Sequence, residues 1–273
     1  MTHHAIIMAA PNGARKTKQD HPTLPVDIAE TVTEAKRCFE AGATVLHAHV
    51  RGREGEHVLD SGLYLELLRE MHKQVPEMLV QMTTEAVGRY TPIEQAECVF
   101  AVKPRMISMA VKEIAAENCD LELARRFYYW NLEHKVHTQH IVFDVEDLER
   151  LSDLQLQGVV PPGRLCVLFV LGKYARGQES VPADIDPFLK LKSDWEMDWF
   201  VCAFGSQEHA CAMEALRRGG HARVGFENNT LLQDGSQADR SADLVDSLRA
   251  AAESEGINIA GAKETRTILG IDR

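Results

Sequence analysis

The sequence lacks long apolar runs, paired cysteines and a leader-like N-terminus. No stretch approaches the roughly 18 apolar residues of a membrane-spanning helix, so a membrane protein is not expected. The six cysteines are scattered and form no CxxC pair, which indicates free thiols in a reducing compartment and no disulfide framework. The first residues contain no basic stretch followed by an apolar one, so we expect a cytoplasmic protein.

Excess positive charge is also missing. The chain has 41 acidic and 30 basic residues, a net charge of −11, whereas a nucleic-acid-binding protein would favour the opposite sign. Hydrophobic residues make up 45% and charged residues 26%, as in a soluble globular protein. No linker or low-complexity segment divides the 273 residues, which predicts one domain over residues 1–273.

A supersecondary unit recurs along the chain, in which a short apolar run precedes an amphipathic helical stretch. Eight such units predict an α/β fold, a (β/α)8 TIM barrel, with an open doubly wound sheet as the alternative. No GxGxxG follows the first run, so a dinucleotide-binding sheet has no support. The predicted strands are Ala5–Ala10, Thr44–Val50, Met78–Thr83, Met106–Ala110, His140–Asp144, Leu165–Leu171, Asp198–Ala203 and Ala222–Phe226.

The helical stretches lie between these runs, and a short one ends the chain. Histidines on helix-like stretches (His72, His134, His137 and His209) are expected at the surface. The main predicted helices are Ile28–Ala41, Leu59–Gln74, Ile93–Val102, Leu121–Val136, Glu208–Arg218, Ala242–Glu255 and Lys263–Leu269.

Two histidines near the end of the second strand are the strongest functional signal. On a strand, His47 and His49 share one face, and burying two imidazoles is costly unless they are hydrogen-bonded or bound to metal. Alone, the pattern also fits satisfied core or surface histidines. Every second residue of a strand lies on the same face, so Arg223, Gly225 and Glu227 are predicted to share one face of the eighth strand. Strands two and eight both flank strand one in a barrel, so Glu227 can complete a catalytic zinc site, although an Arg223–Glu227 ion pair is the simpler alternative.

Other polar residues collect at the predicted carboxyl ends of strands, where barrel active sites lie. The basic loop from Asn12 to Lys16, which contains Arg15, is either a solvated turn or an anion-binding lip. Lys173 and Arg176 could bind an anion as well, and Gly225 could leave room for a ligand. Hydroxyls that could bind a substrate, or cap a helix, are those of Thr83, Thr84 and Ser108.

Several segments resemble the β-keto acid cleavage enzymes, and their order and spacing agree along the whole chain. The strongest is the segment Gly219-Gly220-His221-Ala222-Arg223-Val224-Gly225-Phe226-Glu227-Asn228-Asn229. Others are Ala10-Pro11-Asn12-Gly13-Ala14, His21-Pro22-Thr23-Leu24-Pro25-Val26, the stretch from Glu40 to Arg51, Phe169-Val170-Leu171-Gly172 and Ala262-Lys263-Glu264-Thr265-Arg266.

The resemblance implies a homotetrameric barrel that condenses a β-keto acid with acetyl-CoA and releases a new acyl-CoA and acetoacetate. It implies Zn²⁺ held by His47, His49 and Glu227, and it places Arg223 in the catalytic network. It also implies that Thr83 and Ser108 help to bind the substrate.

Two positions depart from the family pattern. Asn228 replaces an aspartate tied to proton transfer, and an amide cannot act as a general base. Glu85, Asp144 or a metal-bound water are the candidates for that role. Arg15 lies where the family member that cleaves an aminohexanoate has a glutamate suited to an amino group, and this difference points to an acidic or neutral distal group on the substrate.

Two other functions fit parts of the pattern. Amidohydrolase-type barrels carry their HxH pair on the first strand and add histidines at the ends of strands five and six and an aspartate on strand eight. Here the pair is on strand two, strand six ends with Gly172-Lys173, and strand eight gives Glu227. A binding protein that keeps the metal site without catalysis would explain Asn228.

Overall fold

Eight parallel strands close into a barrel in the computed structural model, which describes residues 3–116, 119–173, 177, 179–191 and 195–271. Each strand pairs with the next along the chain, and β8 pairs with β1. The predicted (β/α)8 barrel is therefore confirmed, and the open sheet is excluded. The barrel strands are β1 (Ile7–Ala9), β2 (Val45–Ala48), β3 (Leu79–Thr83), β4 (Met106–Ala110), β5 (His137–Val142), β6 (Leu165–Leu171), β7 (Met197–Ala203) and β8 (His221–Val224).

Helices follow the strands and cover the barrel. Two short strand pairs add to it: His4–Ala5 with Asn258–Ile259, and an antiparallel hairpin of Val50–Arg51 with His57–Val58. No helix in the described ranges is long and apolar enough to cross a membrane. The helices are α1 (Ile28–Ala41), α2 (Ser61–Gln74), α3 (Pro92–Val102), α4 (Val111–Ile114), α5 (Leu121–Glu133), α6 (Val145–Leu156), α7 (Asp186–Leu191), α8 (Glu208–Arg217), α9 (Ser241–Ser254) and α10 (Ala262–Ile268).

The fifth strand differs from its prediction, because β5 begins three residues earlier and ends at Val142. Asp144 is instead the N-cap of α6, where its Oδ1 accepts a hydrogen bond from the Asp147 amide at 2.8 Å. His137 lies on this strand and is half-buried, so its expected place on a surface helix is wrong.

The barrel interior changes character along its axis. Val45, Leu79 and Met106 belong to a buried apolar cluster that links strands across the barrel. Two residues further along β2 and β3, the same face carries the buried polar side chains of His47 and Gln81. Because strand side chains alternate between two faces, these polar groups enter the barrel at the carboxyl ends of the strands. The predicted concentration of polar residues at that end is confirmed.

The last strand ends at Val224, two residues before its predicted end. Gly225 follows with φ +147, and a Cβ there would overlap the carbonyl oxygen of Ala10. The glycine therefore makes room for the backbone beside β1, and its expected role of making room for a ligand is not supported.

Replacing Gly225 by alanine should destabilise the fold more than the same change at another glycine with positive φ. Gly235 (φ +84) has open space around its Cβ position, so Gly235→Ala should cost only backbone strain, about 1–2 kcal/mol. Gly225→Ala should cost about 1–3 kcal/mol more through the backbone clash. Urea unfolding measures both free energies, and equal losses would refute the close approach.

Candidate active site

His47, His49 and Glu227 meet at the mouth of the barrel, where their ligand atoms lie within 4.8 Å of one another. The two Nε2 atoms are 3.1 Å apart, and Glu227 Oε2 lies 3.5 Å from His47 Nε2 and 3.8 Å from His49 Nε2. The histidine side chains are 1% exposed and the Glu227 side chain 10%. The structure thus brings together the three predicted metal ligands.

Strand periodicity alone does not explain this meeting. Glu227 lies in the turn beyond β8, where its amide donates to the Ala10 carbonyl at 3.0 Å. Gly13, with φ +61, lies against the Glu227 side chain, and a Cβ at Gly13 would overlap Glu227 Cγ. The turn after β8 and the loop after β1 therefore position the carboxylate together.

Hydrogen bonds on the far side of each ring determine where the imidazole protons lie. His57 Nε2 is 2.8 Å from the carbonyl oxygen of Glu85, which only accepts, so Nε2 carries the proton and Nδ1 is left as an acceptor. His49 Nδ1 lies 3.3 Å from that acceptor and must donate to it. His49 Nε2 is therefore unprotonated, and its lone pair faces the barrel.

The same argument applies to His47. Its Nδ1 lies 2.7 Å from Gln81 Oε1, while the Gln81 amide nitrogen donates to Gln139 at 3.0 Å. His47 Nε2 consequently presents a lone pair as well. The two Nε2 atoms are 3.1 Å apart, so their lone pairs repel each other unless a cation lies between them. Glu227 Oε2, beside them, has no hydrogen-bond partner among the described residues. The donor set fits a divalent metal.

The electrostatics keep these ligands in their metal-binding forms. Burial, assisted by the charge of Arg223, lowers the pKa of His47 to about 4, and burial with the neighbouring His57 lowers that of His49 well below its usual value. Burial would raise the pKa of Glu227, but the charge of Arg223 reverses this and the net shift is downward. Near neutral pH the site therefore holds two neutral imidazoles and one carboxylate.

An inner cavity adjoins these ligands, and its walls include Thr83, Ser108 and Arg223. The Ser108 hydroxyl is buried without a hydrogen-bond partner among the described residues. One nitrogen of Arg223, Nη2, lies 3.2 Å from Glu227 Oε1, whereas its Nε and Nη1 have no partner within the described ranges. These unpaired groups can bind the polar atoms of a ligand.

An outer cavity lies beneath the loop after β1 and is lined by Asn12, Arg15 and Lys16. Glu85 and Lys173 line both cavities and form an ion pair, with Nζ 2.8 Å from Oε1. Arg15 is exposed at this mouth, whereas Lys16 donates to the Phe226 carbonyl at 2.8 Å. The loop is thus more ordered than a solvated turn, and it leaves Arg15 available to a ligand.

Asn12 lines the outer cavity, whereas several other predicted residues face neither cavity. The Thr84 hydroxyl donates to the Ser108 carbonyl at 2.9 Å. The Asn12 amide holds the His49 backbone, donating to its carbonyl at 2.9 Å, so it positions a ligand residue. Asn228 is 3% exposed and lines neither cavity. Asp144 pairs with Lys112 beside its helix, which removes it as a base, and Arg176 lies outside the described residues.

Sequence reasoning did not identify the groups that orient the ligands. His57 reaches His49 only because the hairpin folds back, which strand periodicity does not reveal. Gln81 was detectable as an amide among the apolar residues of β3, whereas Gln139 lies in the polar start of β5, outside the predicted strand. Glu208 accepts from the Gly225 amide at 3.1 Å, and burial raises the pKa of its carboxyl to about 8.

Comparison with known proteins agrees with this geometry. A profile of the protein family described as beta-keto acid cleavage enzyme matches residues 4–271. The chain belongs to the beta-keto acid cleavage enzyme family. A 3-keto-5-aminohexanoate cleavage enzyme from Acetoanaerobium sticklandii is 28% identical to this family member over 277 residues, covering 98% of each chain.

Two further proteins resemble this beta-keto acid cleavage enzyme family member. A 3-oxoadipate:acetyl-CoA acetyltransferase from Cupriavidus necator is 25% identical over 282 residues, covering 99% of this chain and 96% of the relative. The structure of ObcA with oxaloacetate superposes with a TM-score of 0.76 at 14% identity, over 92% of this chain and 68% of that one. The curated relatives support an acetyl-CoA-dependent enzyme that acts on β-keto acids, and ObcA shares the fold.

Adding a divalent transition metal to metal-stripped protein should raise its Tm. Binding at 100 times Kd stabilises a folded state by about 2.7 kcal/mol. His47→Ala should abolish the shift, while His72→Ala, at an exposed position, should retain it. Gln81→Met should weaken metal binding roughly 10–100-fold, because it removes the group that orients His47. Calorimetric titration measures the affinities, and an unaltered affinity in His47→Ala would contradict the ligand set.

Proposed function

We propose that this chain is a zinc-dependent β-keto acid cleavage enzyme that uses acetyl-CoA as co-substrate. The β-keto acid and acetyl-CoA would give acetoacetate and the acyl-CoA made from the remainder of the keto acid. The convergence of two imidazole lone pairs and the Glu227 carboxylate in a barrel of this family carries the proposal. The name of the Cupriavidus relative, an acetyl-CoA acetyltransferase, supports the co-substrate. A homotetramer remains the prediction from the resemblance, and a cytoplasmic location remains the prediction from the sequence.

Zinc suits the donor set, since two imidazoles and one carboxylate with an open position are typical of catalytic zinc sites. Manganese and iron accept similar ligands, so metal analysis belongs to the test. When bound, the ion would act as a Lewis acid toward the substrate ketone. His47 and His49 would hold it through Nε2, with their rings kept in place by Gln81 and His57.

The inner cavity would bind the β-keto acid. Arg223 is fixed through Nη2 to Glu227 and to the Cys202 sulfur at 3.2 Å, which leaves two nitrogens for the substrate carboxylate. The hydroxyls of Ser108 and Thr83 would donate to its remaining oxygens. Because these donors are buried, each would be stronger there than in water.

Glu85 is the group we assign to proton transfer. The reaction removes a proton from the carbon between the keto and carboxyl groups. That carbon then bonds to the thioester carbonyl carbon, and the C–S bond of acetyl-CoA breaks to release the CoA thiolate. The thiolate adds to the original ketone carbon, the old carbon–carbon bond breaks to leave the new acyl-CoA, and the carbon released takes back the proton to give acetoacetate. The Glu85 carboxylate lies between the two cavities, where both substrates would meet, and Lys173 orients it.

A mass-spectrometric assay tests the proposed reaction. Zinc-loaded protein is incubated with acetyl-CoA and a panel of amino, neutral and dicarboxylic β-keto acids. We expect acetoacetate and a new acyl-CoA, lost in His47→Ala. Glu85→Gln should lower kcat about 10²–10⁴-fold, the usual contribution of a positioned general base. Asp144→Asn serves as the control, because Asp144 caps a helix and should leave kcat within a few-fold.

The other outcomes separate the alternatives. Keto acid binding without turnover, with zinc confirmed, would favour a binding protein. Release of acetate and no new acyl-CoA would favour hydrolysis. Full activity in Glu85→Gln would leave the proposed reaction standing and remove Glu85 as the base.

Arg15 should select the distal end of the keto acid. Its exposed guanidinium at the outer cavity suits a second carboxylate on the substrate. The keto acid in the name of the Cupriavidus relative, 3-oxoadipate, has such a second carboxylate. Arg15→Glu should lower kcat/KM for dicarboxylic keto acids at least about tenfold, or about 1.4 kcal/mol, and raise it for amino ones. Arg69→Glu, an exposed reversal on α2, should change neither, and an unaltered preference in Arg15→Glu would refute this role.

A further inference from the structure

A second cavity, of about 550 Å³, opens at the other end of the barrel from the metal ligands. It is lined by Arg105, which precedes β4, by His137 at the start of β5 and by Leu165 at the start of β6. Gly270 and Ile271 complete its rim. The amino ends of the strands form this cavity, so it is separate from the proposed active site.

The charge of this cavity is opposite to that of the chain. Among the described residues, its lining includes four Lys or Arg, three His and no Asp or Glu, although the chain has 41 acidic and 30 basic residues. Lys103, Arg105 and Lys135 are exposed at the rim. Arg164 pairs with Asp198, Nη2 to Oδ1 at 2.7 Å, so the rim lysines supply charge beyond that pair. The cavity therefore attracts anions.

Its floor carries buried polar atoms that lack partners. Tyr128 is 2% and His140 4% exposed, and neither the Tyr128 hydroxyl nor His140 Nδ1 has a hydrogen-bond partner among the described residues. Their ring centroids lie 5.5 Å apart. A buried hydroxyl without a partner is costly, and its position on a cavity wall makes it available to bind a polar atom of a ligand.

The remaining walls are apolar and include Val136, Val160 and Leu165. A ligand that matches this lining has an anionic group for the cationic rim and an apolar body. Small-molecule sites usually measure about 300–1,000 Å³, which includes this volume. We propose that the cavity binds an organic phosphate of nucleotide size, independently of the reaction at the metal site.

The Tyr128→Phe variant gives the sharpest test, because it removes only the unpartnered hydroxyl. If the hydroxyl binds a ligand, calorimetric titration with ADP should show affinity reduced at least about fivefold, while the Tm of the free protein stays the same or rises. Lys103→Glu combined with Lys135→Glu should reduce the affinity more than tenfold. These lysines follow the carboxyl ends of α3 and α5, where cations also stabilise the helices, so Tm is measured in parallel.

Three controls keep the outcome clear. His47→Ala should bind ADP as the wild type does, since the cavity is remote from the metal ligands. Inorganic phosphate should bind more weakly than ADP if the apolar walls contribute. Keto acid turnover should be the same in Tyr128→Phe and wild type. The proposal would be overturned if ADP failed to bind at millimolar concentration. It would also be overturned if Tyr128→Phe and the double lysine variant both bound ADP with the affinity of the wild type.

Discussion

The candidate site depends on one constraint. The Nε2 atoms of His47 and His49 are held 3.1 Å apart, with their lone pairs facing each other, by hydrogen bonds made at Nδ1 on the opposite side of each ring. Gln81 and His57 accept the Nδ1 protons, so neither ring can relieve the conflict by changing tautomer without losing a buried hydrogen bond. Burial keeps both rings neutral near pH 7, so a shared proton does not resolve it either. A cation bound beside Glu227 would remove the repulsion between the two lone pairs.

The loop after β1, the hairpin and the turn after β8 contact one another and thereby fix the positions of the histidines and Glu227. Arg51 donates to the carbonyls of Lys16, at 3.0 Å, and Asn12, at 3.2 Å, and thereby closes the loop after β1 against the hairpin. Lys16 in turn donates to the Phe226 carbonyl, next to Glu227. Arg51 is buried and Lys16 half-buried, and each charge is paired with backbone acceptors, which offsets the cost of its desolvation. The barrel supplies rigid strands, while the loops adjust the ligands.

The sequence was sufficient for the barrel and for choosing His47, His49 and Glu227 as residues that come together, since the barrel follows from strand order and the histidine pair from the period-two pattern. It was insufficient where the chain leaves the strands. Glu227 reaches the two histidines through a turn after Val224, and His57 arrives through a hairpin. The start of β5 was misplaced because His137, Thr138 and Gln139 are polar, although two of them are half-buried and Gln139 fully so. The polar residues at the start of β5 have the composition of the exposed end of the preceding helix, so the sequence does not mark the boundary between them.

Asn228 lies next to the predicted metal ligand Glu227, at the position where the family resemblance implies an aspartate. An aspartate there would place a second carboxylate next to Glu227 in a buried site, and the two charges would raise each other's pKa. The neutral amide avoids that repulsion and leaves Glu227 paired with Arg223. Because Asn228 lines neither cavity, the loss of an acid there removes no group from the cavity walls. Glu85 does line both, so a carboxylate remains where the two substrates would meet.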